Sequence, residues 1–116
     1  MFSFDSNCSI DSNLISNRNS ARISIPDQLV PINGILKWRT NLFETESFWV
    51  GWYKNMSNRF LESPAVKVLM VAGHERLDTP LTIGHMQGKF QLMLFNGCGH
   101  FIHEDIPGEV LHVFLT

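Results

Sequence analysis

Two short, nearly unbroken apolar runs, "AVKVLMVAG" from Ala65 and "QLMLFNG" from Gln91, constrain this chain more than any other feature. Each has the length of a strand, ends at a glycine and shows no polar alternation, as expected of strands covered on both faces of a parallel sheet. Between them, "TPLTIGHMQGKF" reads as a helix, with Thr79 as N-cap and Pro80 at the first helical position. Parallel neighbours need a crossover of this length, and such crossovers are right-handed. After the second run, Asp105 is expected to cap a last helix with Pro107 in its first turn and Val110, Leu111, Phe114 and Leu115 as its apolar stripe. The pattern is a βαβα unit, hence an α/β fold. Strands of interior type need neighbours on both sides, so the sheet reads as incomplete, the C-terminal portion of a larger one.

Upstream of this unit, "TNLFETESFWVGWYKNMSNRFLE" predicts one long helix. Leu42, Phe48, Trp49, Trp52, Tyr53, Met56 and Phe60 recur at helical steps and form a broad aromatic face, for which core packing is the expected role. Thr40 is the expected cap, Glu44 suits the first turn, Gly51 weakens the middle, and Ser63-Pro64 ends the helix. "ARISIPDQLVPING" alternates apolar and polar residues but is interrupted by Pro26 and Pro31, which predicts an extended connector or at best an edge strand. Residues 1–20, rich in Ser and Asn, read as loop or disorder with a short helical piece around Ile15. Residues 21–116 then form the α/β part.

A hydrophobic content of 44% is ordinary for a globular chain, and a net charge of −2 without a basic stripe argues against a nucleic-acid partner. Cys8 and Cys98 lie far apart, without the spacing of a zinc finger or a disulfide framework, which fits a reducing compartment. The longest apolar run is too short to span a bilayer and contains Lys67, and the start lacks the basic and apolar regions of a signal peptide. A soluble intracellular protein, without membrane attachment, is expected.

Candidate chemistry concentrates in "FNGCGHFIHEDIPGEV". His100 follows a buried strand through a glycine-rich turn, at the sheet edge where open α/β sheets bind their ligands. In α/β-hydrolases the triad histidine follows the last core strand in this manner, after the serine and the acid in chain order. An exposed loop histidine without a task is the plain alternative. His103 sits beside Glu104 and Asp105, whose carboxylates suit the start of a helix. A metal site of His100, His103 and Glu104 lacks the i, i+4 helical spacing of H-E-x-x-H, and no thiolate pair assists it. His74 reads as a loop residue, His85 as a helix-surface residue, and His112 as a solvent-facing one. Glu75 and Asp78 stand where many hydrolases place the triad acid, although a solvated loop with Asp78 helping to cap the next helix explains them as well. There is no G-x-S-x-G, so no nucleophile elbow.

The pieces "GWYKNMSNRFL", "AGHERLD", "LTIGHMQGKFQ" and "CGHFIHED" closely resemble the C-terminal part of the protein phosphatase methylesterases, from about Asn17 onward. The resemblance implies an α/β-hydrolase serine esterase, needing no cofactor or metal, that demethylates the C-terminal leucine of the type 2A protein phosphatase catalytic subunit in cytoplasm or nucleus. On that resemblance His100 matches the family's catalytic histidine. The family's serine and aspartate lie upstream of the matched region, so neither Glu75 nor Asp78 inherits the acid role. The expectation is therefore a C-terminal portion, from a partial gene or an alternative start, that is inactive alone. Rival expectations are a non-catalytic phosphatase-binding fragment, using the aromatic helix from Phe48 to Phe60 or Met86-Gln87, and a piece of another α/β-hydrolase esterase.

Overall fold

The strand–helix–strand order is present in the computed structural model, which describes residues 3–4, 15–73 and 76–116. Its strands are β1 (Ser3–Phe4), β2 (Leu29–Ile32), β3 (Ile35–Trp38), β4 (Val68–Ala72) and β5 (Gln91–Phe95). Its α-helices are α1 (Arg18–Ser24), α2 (Trp49–Tyr53), α3 (Met56–Glu62), α4 (Thr79–Met86), α5 (Ile102–Asp105) and α6 (Pro107–Leu115). The chain divides into two compact units, residues 44–97 and residues 1–43 with 98–116.

In the 44–97 unit, β4 and β5 pair in parallel, with Val68 opposite Gln91 and Ala72 opposite Phe95. The expected pairing is found, and α4 makes the crossover. Val71, Phe90 and Phe95 are its buried apolar residues. Phe60 and Phe90 form a T-shaped pair, ring centroids 5.3 Å apart, so α3 is tied to the turn that precedes β5. Helices α3 and α4 pack closely at Gly84, where an added Cβ would lie 2.5 Å from a Leu61 methyl carbon. The cap of α4 stands one residue before Thr79, where the plainer reading of Asp78 puts a capping carboxylate. Asp78, not Thr79, is the N-cap and accepts from the Leu81 N–H at 3.0 Å; Pro80 still lies in the first turn. A carboxylate is the better acceptor for that donor and also suits the helix dipole.

The long aromatic helix is corrected. Leu42–Phe48 is 3₁₀, with the Phe43 N–H bonded to the Asn41 side chain at 3.2 Å rather than capped by Thr40. The α-helical part then breaks between Tyr53 and Met56, where Asn55 adopts φ 59°. Asparagine is among the few non-glycine residues that visit this region readily, which is why the break falls there and not at Gly51. Ser63 is extended before Pro64, as expected. Most of the aromatic face is not core: Phe48, Trp52, Tyr53 and Met56 are exposed, while Trp49 and Phe60 are half-buried.

In the other unit, the stretch expected as a connector forms a hairpin. Strands β2 and β3 pair antiparallel, with Ile32 opposite Ile35, around an Asn33-Gly34 turn at φ 52° and 77°. Two successive positive φ values are the requirement of a type I′ turn, which Asn-Gly satisfies. Strand β1 pairs with β3 in parallel, giving the order β1-β3-β2, so the Pro31-bearing strand is indeed an edge. Of residues 1–20, expected as loop, the described ones are 3–4, which form β1, and 15–20, where α1 starts at Arg18; the rest of that stretch lies outside the described residues. Asn17 caps α1, its side chain accepting from the N–H groups of Asn19 and Ser20. Of the stripe expected on α6, only Val110 is buried; Leu111, Phe114 and Leu115 are exposed.

Four apolar side chains are buried among the described residues, while Phe43, Val50, Met86 and Phe114 are each more than 70% exposed. So little apolar burial contributes weakly against the conformational entropy of ordering the chain. As an isolated polypeptide, the 116 residues should therefore bind a hydrophobic dye strongly and melt over a broad range. A sharp two-state melt of a monomer would contradict this.

Candidate functional site

The histidine singled out by sequence, His100, is exposed, and it follows β5 in the chain through Asn96-Gly97-Cys98-Gly99. Gly97 adopts φ 77°, a conformation costly for a residue with a Cβ. The short helix α5 begins two residues beyond His100, with the Asp105 N–H donating to the Phe101 carbonyl at 3.0 Å.

Asp105 is the structural centre of this segment. It was expected to cap the last helix; instead it is the final residue of α5, and Ile106 stands at the start of α6 without a side-chain cap bond. Its Oδ2 accepts from the Gly99 N–H at 2.5 Å. Its Oδ1 accepts from the N–H groups of Ser16 at 2.5 Å and Asn17 at 2.9 Å. The Asn17 side-chain amide returns a bond to the Asp105 carbonyl at 3.3 Å. Next to it, Glu104 accepts from the Ser24 hydroxyl at 2.7 Å, a second link between α5 and α1. One carboxylate thus ties the turn before His100 to the backbone that enters α1.

Burial pushes the Asp105 carboxyl upward, but the Gly99, Asn17 and Ser16 N–H groups and the Ser16 side chain together outweigh it. The net result is a carboxyl held below the ordinary range.

The other candidates are dispersed. His103 is in α5, 65% exposed, with its Nε2 3.9 Å from Glu104 Oε1 and its ring edge-on to Phe101. Its helix is a separate one, not the start of the last. His85 is exposed on α4 with its ring 5.6 Å from that of Phe90, and His112 is exposed on α6. Asp78 is engaged at the head of α4, where it also accepts from the Ser57 hydroxyl. His74 and Glu75 lie outside the described residues. Among the described residues no three His, Cys, Asp or Glu side chains gather as they would around a metal ion, so His100, His103 and Glu104 do not form such a site. Nor, among those residues, is any helix long and apolar enough to cross a membrane.

Sequence reasoning missed the part of Asp105 that matters here. Its partners Ser16 and Asn17 are 89 and 88 positions away in the chain. The local signal was a carboxylate six residues after Gly99, which a helix cap explained equally well.

The fold is mixed α/β, with a parallel strand pair leading in sequence to a glycine-rich turn and His100. No family model matches the chain. Individual proteins do. It is 43% identical to protein phosphatase methylesterase 1 of Cryptococcus neoformans var. neoformans serotype D (strain JEC21) over 92% of this chain and 28% of that protein. Proteins of the same name from Schizosaccharomyces pombe and Gibberella zeae are 46% and 48% identical, over 86% and 84% of this chain and 30% and 26% of their own lengths. The chain is the counterpart of a C-terminal segment of the protein phosphatase methylesterases. It spans little more than a quarter of the length of these relatives.

The amides of Ser16, Asn17 and Gly99 should be protected from hydrogen exchange near neutral pH. A depressed folded pKa makes this contribution fully present above the ordinary carboxylate value of about 4 and lost as pH falls through the lower folded one. Exchange measured from pH 7 downward, corrected for intrinsic rates, checks this. Protection that is lost already at or above about pH 4, or that is lost on raising pH, would contradict it.

Proposed function

We propose that these residues are the C-terminal portion of a serine carboxylesterase of the α/β-hydrolase fold, with His100 as its catalytic base. The observation that carries this reading is the likeness to protein phosphatase methylesterases at 43 to 48% identity over most of the chain. The position of His100 supports it, on an exposed turn following the second strand of a parallel pair. Residues 21–116 then form one part of a single hydrolase domain whose remaining strands come from upstream sequence.

In this mechanism a serine hydroxyl from the upstream part attacks the ester carbonyl of the substrate. One ring nitrogen of His100 takes the hydroxyl proton as the C–O bond to the serine forms, and the other is oriented by a carboxylate. The tetrahedral intermediate collapses with loss of methoxide, to which His100 gives its proton, and methanol leaves. Water then attacks the acyl-enzyme with His100 again as base, releasing the free carboxylate and restoring the serine. Backbone N–H donors stabilise the oxyanion in both halves. The substrate is the methyl-esterified C-terminal leucine of the type 2A protein phosphatase catalytic subunit, met in cytoplasm or nucleus. No step requires a metal or cofactor. The segment brings the base and not the nucleophile, and a triad member without its partner has little catalytic effect, so residues 1–116 alone are inactive.

A second reading is favoured by the exposure of Phe48, Val50, Trp52 and Tyr53. The segment would then bind the phosphatase without catalysing anything. Capture of the purified phosphatase catalytic subunit by these residues, unchanged when His100 is replaced, would support binding as a separate property.

In the full-length enzyme carrying this segment, His100→Ala should lower kcat on a peptide ending in leucine methyl ester by roughly 10⁴- to 10⁶-fold. The fold should be retained, because an exposed imidazole contributes little packing. His103→Ala should reduce activity far less. An inactive His103→Ala beside an active His100→Ala would show that the base has been misassigned.

A further inference from the structure

We propose that Asp105 is a positioning residue for His100, its two carboxylate oxygens holding the turn before the histidine on one side and the backbone entering α1 on the other. The assignment rests on His100 being the catalytic base. The turn is rich in glycine. Gly97 and Gly99 flank Cys98, and glycines lose more backbone freedom on ordering than any other residue. His100 stands between β5 and α5, in neither.

Asp105 closes that gap. From Gly99 the chain passes through His100 into α5, whose backbone bonds run from Glu104 and Asp105 back to Phe101. The Asp105 side chain then returns to the Gly99 N–H at 2.5 Å. His100 therefore lies inside a small ring, closed on one side by a carboxylate and on the other by a helical turn. The ring is anchored from outside by the other oxygen, which accepts from Ser16 and Asn17, and by the Asn17 amide on the Asp105 carbonyl. Three N–H donors converge on one carboxylate, so an uncharged isostere cannot replace it. In Asp105→Asn one oxygen becomes an NH₂ group that meets N–H donors, and either Gly99 or the Ser16–Asn17 pair loses its acceptor. The lowered pKa of the carboxyl is consistent with this convergence.

A general base works only within hydrogen-bond reach of the proton it takes, and small misplacements of catalytic groups are expensive in rate. Asp105 touches neither substrate nor serine in this scheme. Its effect falls on the chemical step and spares ground-state binding.

The test uses the full-length enzyme carrying this segment, with Asp105→Ala, Asp105→Asn and His100→Ala compared on the leucine methyl ester peptide. The kcat is referred to the concentration of folded enzyme, so that poor folding of the alanine variant does not decide the result. Asp105→Asn should lower kcat by roughly 10- to 100-fold and leave KM within about twofold. Hydrogen exchange over residues 97–101 should accelerate in the same variant while exchange in α4 stays unchanged. An unchanged kcat per folded molecule, with His100→Ala inactive, overturns the proposal and leaves the base assignment standing. It would mean that Asp105 supports only the fold. Turnover that survives His100→Ala, or that is absent from the unmutated full-length enzyme, overturns the base assignment and the proposal with it.

Discussion

The unit containing His100 depends on one carboxylate. Asp105 collects the N–H groups of Ser16, Asn17 and Gly99. These are segments from opposite ends of the chain, and no regular secondary structure joins them at this point. Hydrogen bonds to a charged acceptor are about twice as strong as neutral ones, and three of them on one group make a compact fastening where apolar burial is sparse. The link from Ser24 to Glu104 repeats the arrangement one residue earlier. Helices α1 and α5 are thereby joined by polar contacts, which specify a geometry more narrowly than apolar packing between such short elements would.

The parts of the fold that are local in sequence were legible. The parallel pair of β4 and β5, the helix between them and the stop at Ser63-Pro64 follow from apolar run length and proline chemistry, and the structure has all three. The aromatic segment failed for a physical reason. Helical periodicity in the side chains does not require a continuous helix, and a single Asn55 in the left-handed region divides it. The hairpin of β2 and β3 had a signal in Asn33-Gly34 that the two prolines obscured: Pro31 proved compatible with an edge strand, and Pro26 stands in a 3₁₀ turn before it.

For the candidate site, sequence located His100 and its glycine-flanked turn, because both are contiguous. It gave Asp105 the wrong partner, because a helix cap is the nearest local use for such a carboxylate and the actual donors Ser16 and Asn17 are remote. The likeness to methylesterases covers the same residues but speaks for an ancestry, whereas the bonds to Asp105 show how the turn is held. The two kinds of information meet at His100.

Pro31 has a consequence for what the three-stranded sheet can accept. Pairs alternate along an antiparallel hairpin; with Ile32 and Ile35 bonded next to the turn, Pro31 and Leu36 are a non-bonded pair, and the proline nitrogen faces outward. That outer edge therefore lacks a donor where an incoming strand would need one, and the pyrrolidine ring stands in its path. The β2 edge is consequently closed to a further strand. In a crowded solution this makes β2 a terminator, a built-in guard against open-ended strand-on-strand association.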